Sequence, residues 1–343
     1  MKYMLLALFS AILVAPLYAQ EVKIYIWDHY ISDQVVRIFN ERTGHTVKQY
    51  LYDDEVARDA ILVNEQAGKY DLILVDNANT VSYTKLGLFA PLSALSLKNM
   101  DHNSKKSRAS CGGSGVPFAK GTMGIAYRTS ISPKKIDSWN DLLQPPQEHR
   151  GSTMMLKNDI DTVAIALLAR GLNPFTSDKQ ELKSAYSLLS SQSQYLLAYG
   201  HPVAYVTEHG SRSKLTMAAL YAGDLQNLKD FTGQQDWQYI VPKEGTLFFV
   251  DCFVAPAGKP VLQGTKAFLE FINEPEIAYM NAQDMWFSTT SQSALEKASA
   301  EYKNDTEISP DKSVLLRSYH YRLLSREQVV LRNRIVSMLS TRE

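Results

Sequence analysis

Net charge and cysteine are both scarce in this 343-residue chain, and each scarcity excludes function classes. Its 36 basic residues are matched by 36 acidic ones, so the formal charge is zero. Proteins that hold nucleic acid or sit electrostatically on an anionic membrane carry a concentrated basic excess. Neither description fits, and no nucleic-acid partner is expected. Only two cysteines occur, Cys111 and Cys252. They are too few for a cysteine-built zinc site or a dense disulfide scaffold. A Gly-rich phosphate loop and a Gly-x-Ser-x-Gly nucleophile turn are also missing. His201 and His209 stand near Glu208 without metal-site spacing and read as exposed surface histidines. No Ser or Cys has a suggestive base partner in the sequence. Neither catalysis nor a cofactor or metal is therefore expected.

Long apolar runs are equally rare. The one near the start, Tyr3 to Pro16, follows the short basic Met1-Lys2 and precedes Leu17-Tyr18-Ala19. It is too short to span a membrane and lacks a stop-transfer flank, so residues 1–19 read as a secretory signal peptide cut near Ala19. No Cys follows the cut, which argues against a lipid anchor. The expected location is the periplasm. There the two cysteines meet an oxidising environment, and a paired and an unpaired state stand as equal readings.

What is present is alternation of strand and helix signals. The stretch from Val22 to Tyr30 reads as a strand delivering Trp27, Asp28 and Tyr30 to its C-terminal end. Ser32 is an N-cap candidate, Val35, Val36 and Phe39 form a helical apolar face, and Gly44 stops the helix. A strand at residues 46–52, a helix at about 55–67 and the apolar run 70–75 follow. This β-α-β-α-β order with a continuous apolar strand indicates a parallel α/β sheet. Residues 99–115 are polar, basic and rich in Gly and Ser, and read as a surface loop. Residues 116–127 read as an extended crossing in which Gly121 and Gly124 permit close backbone approach. A second α/β unit begins near Trp139. Its strands are expected at 152–156, 217–221, 238–241 and 247–255, its helices at 161–170 and 178–191, and helices dominate from Val261. The fold class is α/β in two lobes, residues 20–123 with 253–300 and residues 124–252 with 301–343.

Two aromatic rings and a carboxylate at one strand end suit an organic ammonium ion. The rings present negative π-faces and the carboxylate a charge-assisted hydrogen bond. Ligands of open α/β sheets bind outside the carboxyl ends of strands, where these residues stand. Asp251, flanked by Phe249, Val250 and Phe253, is a second pointer, because a carboxylate in a buried strand needs a partner. Bland readings accompany each residue. Asp161 suits a helix start, Asp28 and Asp76 suit turns that end strands, and Tyr221, Phe249 and Phe287 suit a core. Asp53-Asp54-Glu55 reads as a solvated helix start.

The ordered blocks Tyr25-Ile26-Trp27-Asp28-His29-Tyr30-Ile31, Phe39-Asn40-Glu41-Arg42-Thr43-Gly44, Tyr70-Asp71-Leu72-Ile73-Leu74-Val75, Val116-Pro117-Phe118, Gly121-Thr122-Met123-Gly124-Ile125, Trp139-Asn140-Asp141-Leu142, Val241-Pro242-Lys243-Glu244-Gly245 and Phe271-Ile272-Asn273-Glu274-Pro275-Glu276 run through nearly the whole mature chain. In this order the chain resembles the periplasmic spermidine/putrescine-binding proteins of bacteria. The resemblance implies a type II periplasmic binding protein fold, with two lobes hinged about a cleft that closes on a linear polyamine. It further implies ligand contacts at Trp27, Asp28, Tyr30, Asp76, Asn158, Asp161, Tyr221, Phe249, Asp251 and Phe287. Several depart from the family pattern. A hydroxyl residue often stands at Asp28, Ser at Asp76, an acid at Asn158, Trp at Tyr221 and Tyr at Phe287. Charge along the groove is thereby redistributed, which bears on whether putrescine, spermidine or norspermidine is preferred.

Two partners follow from the resemblance. One is the inner-membrane permease of an ABC transporter, ranked first. The other is a membrane receptor with cyclic-di-GMP domains, as used by members that control biofilm formation. The tail carries Arg317, Arg322, Arg326, Arg332, Arg334 and Arg342, and residues 325–339 form an amphipathic helix. Such a helix serves either as a docking surface or as a solvated helix packed on the second lobe.

Overall fold

The computed structural model describes residues 19–52 and 55–340. The leader up to residue 18, together with Asp53 and Asp54, lies outside the described residues. The described residues form eleven strands: β1 (Glu21–Trp27), β2 (Thr46–Tyr52), β3 (Leu72–Asp76), β4 (Gly115–Arg128), β5 (Thr153–Met155), β6 (Leu196–Tyr199), β7 (Met217–Tyr221), β8 (Trp237–Ile240), β9 (Leu247–Val254), β10 (Ser288–Thr289) and β11 (Tyr319–His320). Their order is β2-β1-β3-β9-β4-β7-β5-β6, with β8 and β10 also on β4 and β11 on β9. β1 is parallel to β2 and β3, and β5 is parallel to β6 and β7. β9 and β4 join these two parallel sets as antiparallel crossings.

Local sequence explains the first unit well. Ser32 accepts a hydrogen bond from the Val35 N–H and opens the helix Asp33–Thr43. Gly44 closes it at φ 70°, a conformation that favours glycine. Val35 and Phe39 bury against Ile24 and Ile26 of β1. The apolar runs in β1 and β3 are covered on both faces, as parallel strands require.

The long crossing β4 belongs to both sheets, and its glycines are steric necessities. A Cβ on Gly121 would lie 2.5 Å from the Phe249 ring, and one on Gly124 would strike the Tyr239 ring and the Ile240 carbonyl. One core gathers Ile24, Leu74, Phe253 and Phe268, and it also takes in Tyr302 and Ile308. The other gathers Trp139, Ile165, Leu167 and Leu189. The C-terminal helix Arg326–Ser340 adds Ile335, Val336 and Leu339 to that second core, so its apolar side packs on the protein. Arg332 on this helix is buried and donates to the Pro174 and Thr176 carbonyls.

Residues 99–115 are not a plain surface loop. Ser104 caps a short helix, Lys105–Cys111, whose last residue is disulfide-bonded to Cys252 of β9 with Cα atoms 5.8 Å apart. The polar composition reflects the solvated face of that helix and hides the buried Ser107 and Cys111. β6 and the helices Asn77–Lys85, Pro202–His209 and Leu225–Thr232 also escaped the sequence reading. Among the described residues no helix is long and apolar enough to cross a membrane.

Candidate functional site

A cleft of about 770 Å³ lies between the carboxyl ends of the two parallel strand sets. On the first wall, β1 ends at Trp27 beside Tyr52 at the end of β2, their rings 4.6 Å apart. Asp28, His29 and Tyr30 continue this edge. β3 ends at Asp76, whose register partner on β9 is Asp251, and Phe249 projects from the same strand. On the second wall, β5 leads to Asn158, β6 to His201, and β7 to Tyr221 and Asp224. Both walls therefore expose side chains where parallel strands terminate, the usual place for a ligand in open α/β sheets.

Several contacts cross from wall to wall, among them a ring stack and a hydrogen bond. The His201 ring lies 5.9 Å from Trp27 and 6.4 Å from Tyr221, near-parallel to both. The Asn158 amide donates to Glu55 Oε2 at 2.6 Å. Asn158 stands where the family resemblance puts an acid, and Glu55 brings a carboxylate to that spot from the opposite wall. His201 is thus a cleft residue rather than a surface histidine, and it lies 3.8 Å from Asp224. Glu55 likewise is no solvated helix start. Only the tertiary approach of the two walls reveals either role.

Burial governs the electrostatics. Asp251 is 6% exposed. Desolvation first, and Asp76 second, push its carboxyl up to about 7, while Arg58 and a hydrogen bond from Tyr30 oppose the rise. Glu55 is pushed up to about 8, chiefly by desolvation, with Asp76, Asp161 and Asp59 adding to it and Arg58 opposing. Asp224 is raised by burial against the pull of His201. These carboxyls sit in an environment that lacks enough positive charge to hold them all ionised.

Of the residues singled out from sequence, Trp27, Asp28, Tyr30, Asp76, Asn158, Tyr221, Phe249 and Asp251 line the cleft. Asp28 is 63% exposed at the rim and accepts from the His29 N–H. Asp76 faces the cleft and also caps the helix Asn77–Lys85 by accepting from the Ala78 and Asn79 N–H groups. Asn158 is the N-cap of the helix Asp159–Leu168, accepting from Ile160 and Asp161. Asp161 stands behind the wall, where it accepts hydrogen bonds from the hydroxyls of Tyr221 and Tyr321. Desolvation raises it to about 6 although both hydroxyls oppose the rise. Phe287 is also behind the lining, 5% exposed and packed between Tyr30 and Phe118. It backs Tyr30 rather than facing the cleft. Lining residues not picked out as contacts include Tyr52, Glu55, His201, Asp224 and Tyr321. The aromatic end of β2 offered a signal for Tyr52, by the same strand-end argument that selected Trp27.

Among the described residues no group of His, Cys, Asp and Glu is arranged to hold a metal. Two α/β halves around a cleft walled by aromatics and carboxyls define a solute-binding protein. Residues 34–310 match the family of bacterial extracellular solute-binding proteins, and the chain belongs to that family, which binds solutes and is not enzymatic. It is 29% identical over 322 residues to a norspermidine sensor of Vibrio cholerae, covering 94% of this chain and 89% of that protein. A putrescine-binding periplasmic protein of Pseudomonas aeruginosa is 25% identical, with 87% and 86% covered. The crystal structure of a spermidine/putrescine ABC transporter substrate-binding protein from Streptococcus pneumoniae superposes with a TM-score of 0.80. It is 20% identical and covers 94% of this chain and 99% of that one.

Proposed function

We propose that this protein captures a linear polyamine in the interlobe cleft. The reading rests on Asp251. It is a buried carboxyl at the cleft surface, with Asp76 opposite it in the sheet and aromatic Tyr30 and Phe249 beside it. A buried carboxylate of this kind needs a cation, and a methylene chain suits the rings that flank it. Trp27, Tyr52, Tyr221 and Phe249 offer walls for methylenes, while Asp251, Glu55 and Asp224 offer anions at separated points. The sequence similarity to polyamine-named relatives supports the same solute class.

The lobes, residues 20–123 with 253–300 and 124–252 with 301–343, save the stretch with Tyr302 and Ile308 that packs in the first core, close on the ligand by hinge bending. Export is supported by Gln20, the first residue past the expected cut, which is tied into the fold. Its backbone N–H donates to His45 Nδ1, its side-chain Oε1 accepts from the Gly264 N–H, and its Nε2 donates to the Thr265 hydroxyl. The mature chain then begins at Gln20 in the periplasm.

Downstream, the sequence alone ranks delivery to an ABC permease first. The longer and higher match to the norspermidine sensor moves sensing through a membrane receptor ahead of it. Calorimetry with putrescine, spermidine, norspermidine and spermine tests capture, and failure of all four to bind at micromolar concentration refutes it. Neighbouring genes separate the two outputs: permease and ATPase genes indicate uptake, and a receptor gene with cyclic-di-GMP domains indicates sensing.

A further inference from the structure

Among the described residues, Arg58 is a fully buried cation beneath the cleft floor. Its side chain is 1% exposed and does not line the cleft itself. Four residues that do line the cleft surround it. Its Nη2 lies 2.8 Å from Asp59 and 3.6 Å from Asp76, and its Nη1 lies 3.6 Å from Glu55. Its Nε also donates to Asp59 at 2.8 Å, and its guanidinium carbon sits 5.6 Å from the Tyr52 ring centroid. This set of carboxylates and an aromatic face is the same chemistry an ammonium group requires.

We infer that Arg58 is a built-in counter-cation that sets how many ammonium groups the ligand brings. The inference rests on the polyamine reading of the cleft. One positive charge supplied from below offsets one of the carboxylate charges at the Tyr52, Asp59 and Asp76 end of the floor. A ligand ammonium placed there would meet carboxylates that already share a cation and a like charge behind them. The anions left for a ligand are Asp251, across from Asp76 on β9, Glu55, which also meets the Asn158 amide of the opposite wall, and those of the second wall. The field of Arg58 extends to Asp251 as well, since it favours ionisation of that carboxyl. Arg58 is therefore a positioning residue. It acts on the ligand only through the carboxylates, and it biases the cleft toward a solute with fewer charges than the number of acids alone suggests.

The obvious alternative is a purely structural ion-pair cluster. Such a cluster would change stability on mutation without changing the order of ligands. The test compares putrescine, norspermidine, spermidine and spermine by competitive calorimetry at fixed pH and ionic strength, with wild type, Arg58→Gln and Arg58→Lys. Arg58→Gln is expected to raise affinity for the four-amine ligand relative to the three-amine ligands on the order of tenfold, about 1.4 kcal/mol. Arg58→Lys is expected to keep the wild-type order. A folded Arg58→Gln protein with an unchanged ratio overturns the inference, and so does Arg58→Lys shifting it as far as Gln. If Arg58→Gln does not fold, Asp59→Asn takes its place. Freeing the guanidinium charge should then weaken spermine more than the three-amine ligands, and an equal loss for all overturns the inference. Failure of the wild type to bind any of the four refutes the polyamine reading instead.

Discussion

Replacing Asp251 by Asn removes one charge and keeps the shape, and it should move affinity and stability in opposite directions. In the free protein the Asp251 carboxyl is raised from 3.8 to about 7 by desolvation and by Asp76. Above pH 7 it is ionised in the folded and unfolded states alike, and the raised value measures what that charge costs the fold. A displacement of this size is worth a few kcal/mol on linkage grounds. Asn carries no charge, and its carbonyl oxygen still accepts from Tyr30. Asp251→Asn should therefore leave the melting temperature of the free protein at pH 8 unchanged or higher. With an ammonium beside it the balance reverses, because the ligand charge loses its buried partner. Removing one member of such a pair costs roughly 2–5 kcal/mol, or about 30-fold to several thousand-fold in Kd. Calorimetric titration at pH 8 with thermal melts of both proteins reads the two effects together. A Kd within threefold of wild type, with the fold intact, would refute the placement of an ammonium at Asp251. A large loss of stability in the free variant would refute the electrostatic reading of this carboxyl.

The raised carboxyls also give binding a pH dependence. Below about 7 to 8, Asp251 and Glu55 are increasingly protonated in the free cleft, and an ammonium requires the ionised forms. Affinity should rise with pH from 5.5 to about 8, by up to tenfold per unit for each proton released. Calorimetry in buffers of different ionisation enthalpy counts those protons, and a flat profile without release contradicts the prediction. Over the same window the unliganded fold binds more protons than the unfolded chain, so its stability should fall as pH climbs from about 4 to about 8. Gly121→Ala should push the Phe249 ring out of place and weaken binding by about tenfold, with a cost of about 1–3 kcal/mol in chemical denaturation; wild-type behaviour in both would mean the crossing tolerates a Cβ. Reducing the disulfide, whose cysteines are 141 residues apart, should lower stability by about 2–5 kcal/mol in urea melts, and no shift would mean that this link does not constrain the unfolded chain.

Much of the molecule is written in short-range patterns. Ser32, Gly44 and the apolar run of β3 specify their elements locally, because a cap, a left-handed residue and a two-sided buried strand each leave a compositional mark. Trp27, Asp28 and Tyr30 could be read as ligand-facing because they stand at the carboxyl end of a parallel strand, and Asp251 because a carboxylate in an apolar strand needs a partner. The helix Lys105–Cys111 escaped because seven mostly polar residues carry too little periodicity. Glu55, His201 and Arg58 escaped for a different reason. Each is an ordinary helix-start or surface residue in the sequence, and its surroundings come from distant chain.

The sequence by itself determined an α/β chain with aromatics and carboxyls at strand ends, and hence a cleft suited to an ammonium solute. Only the tertiary structure decided which acids share that cleft, which cation lies under them, and that Asp161 and Phe287 support the lining from behind. The physical reason is that periodicity and capping act over a few residues. Desolvation, charge coupling and steric backing depend on side chains that meet in space from segments far apart in sequence.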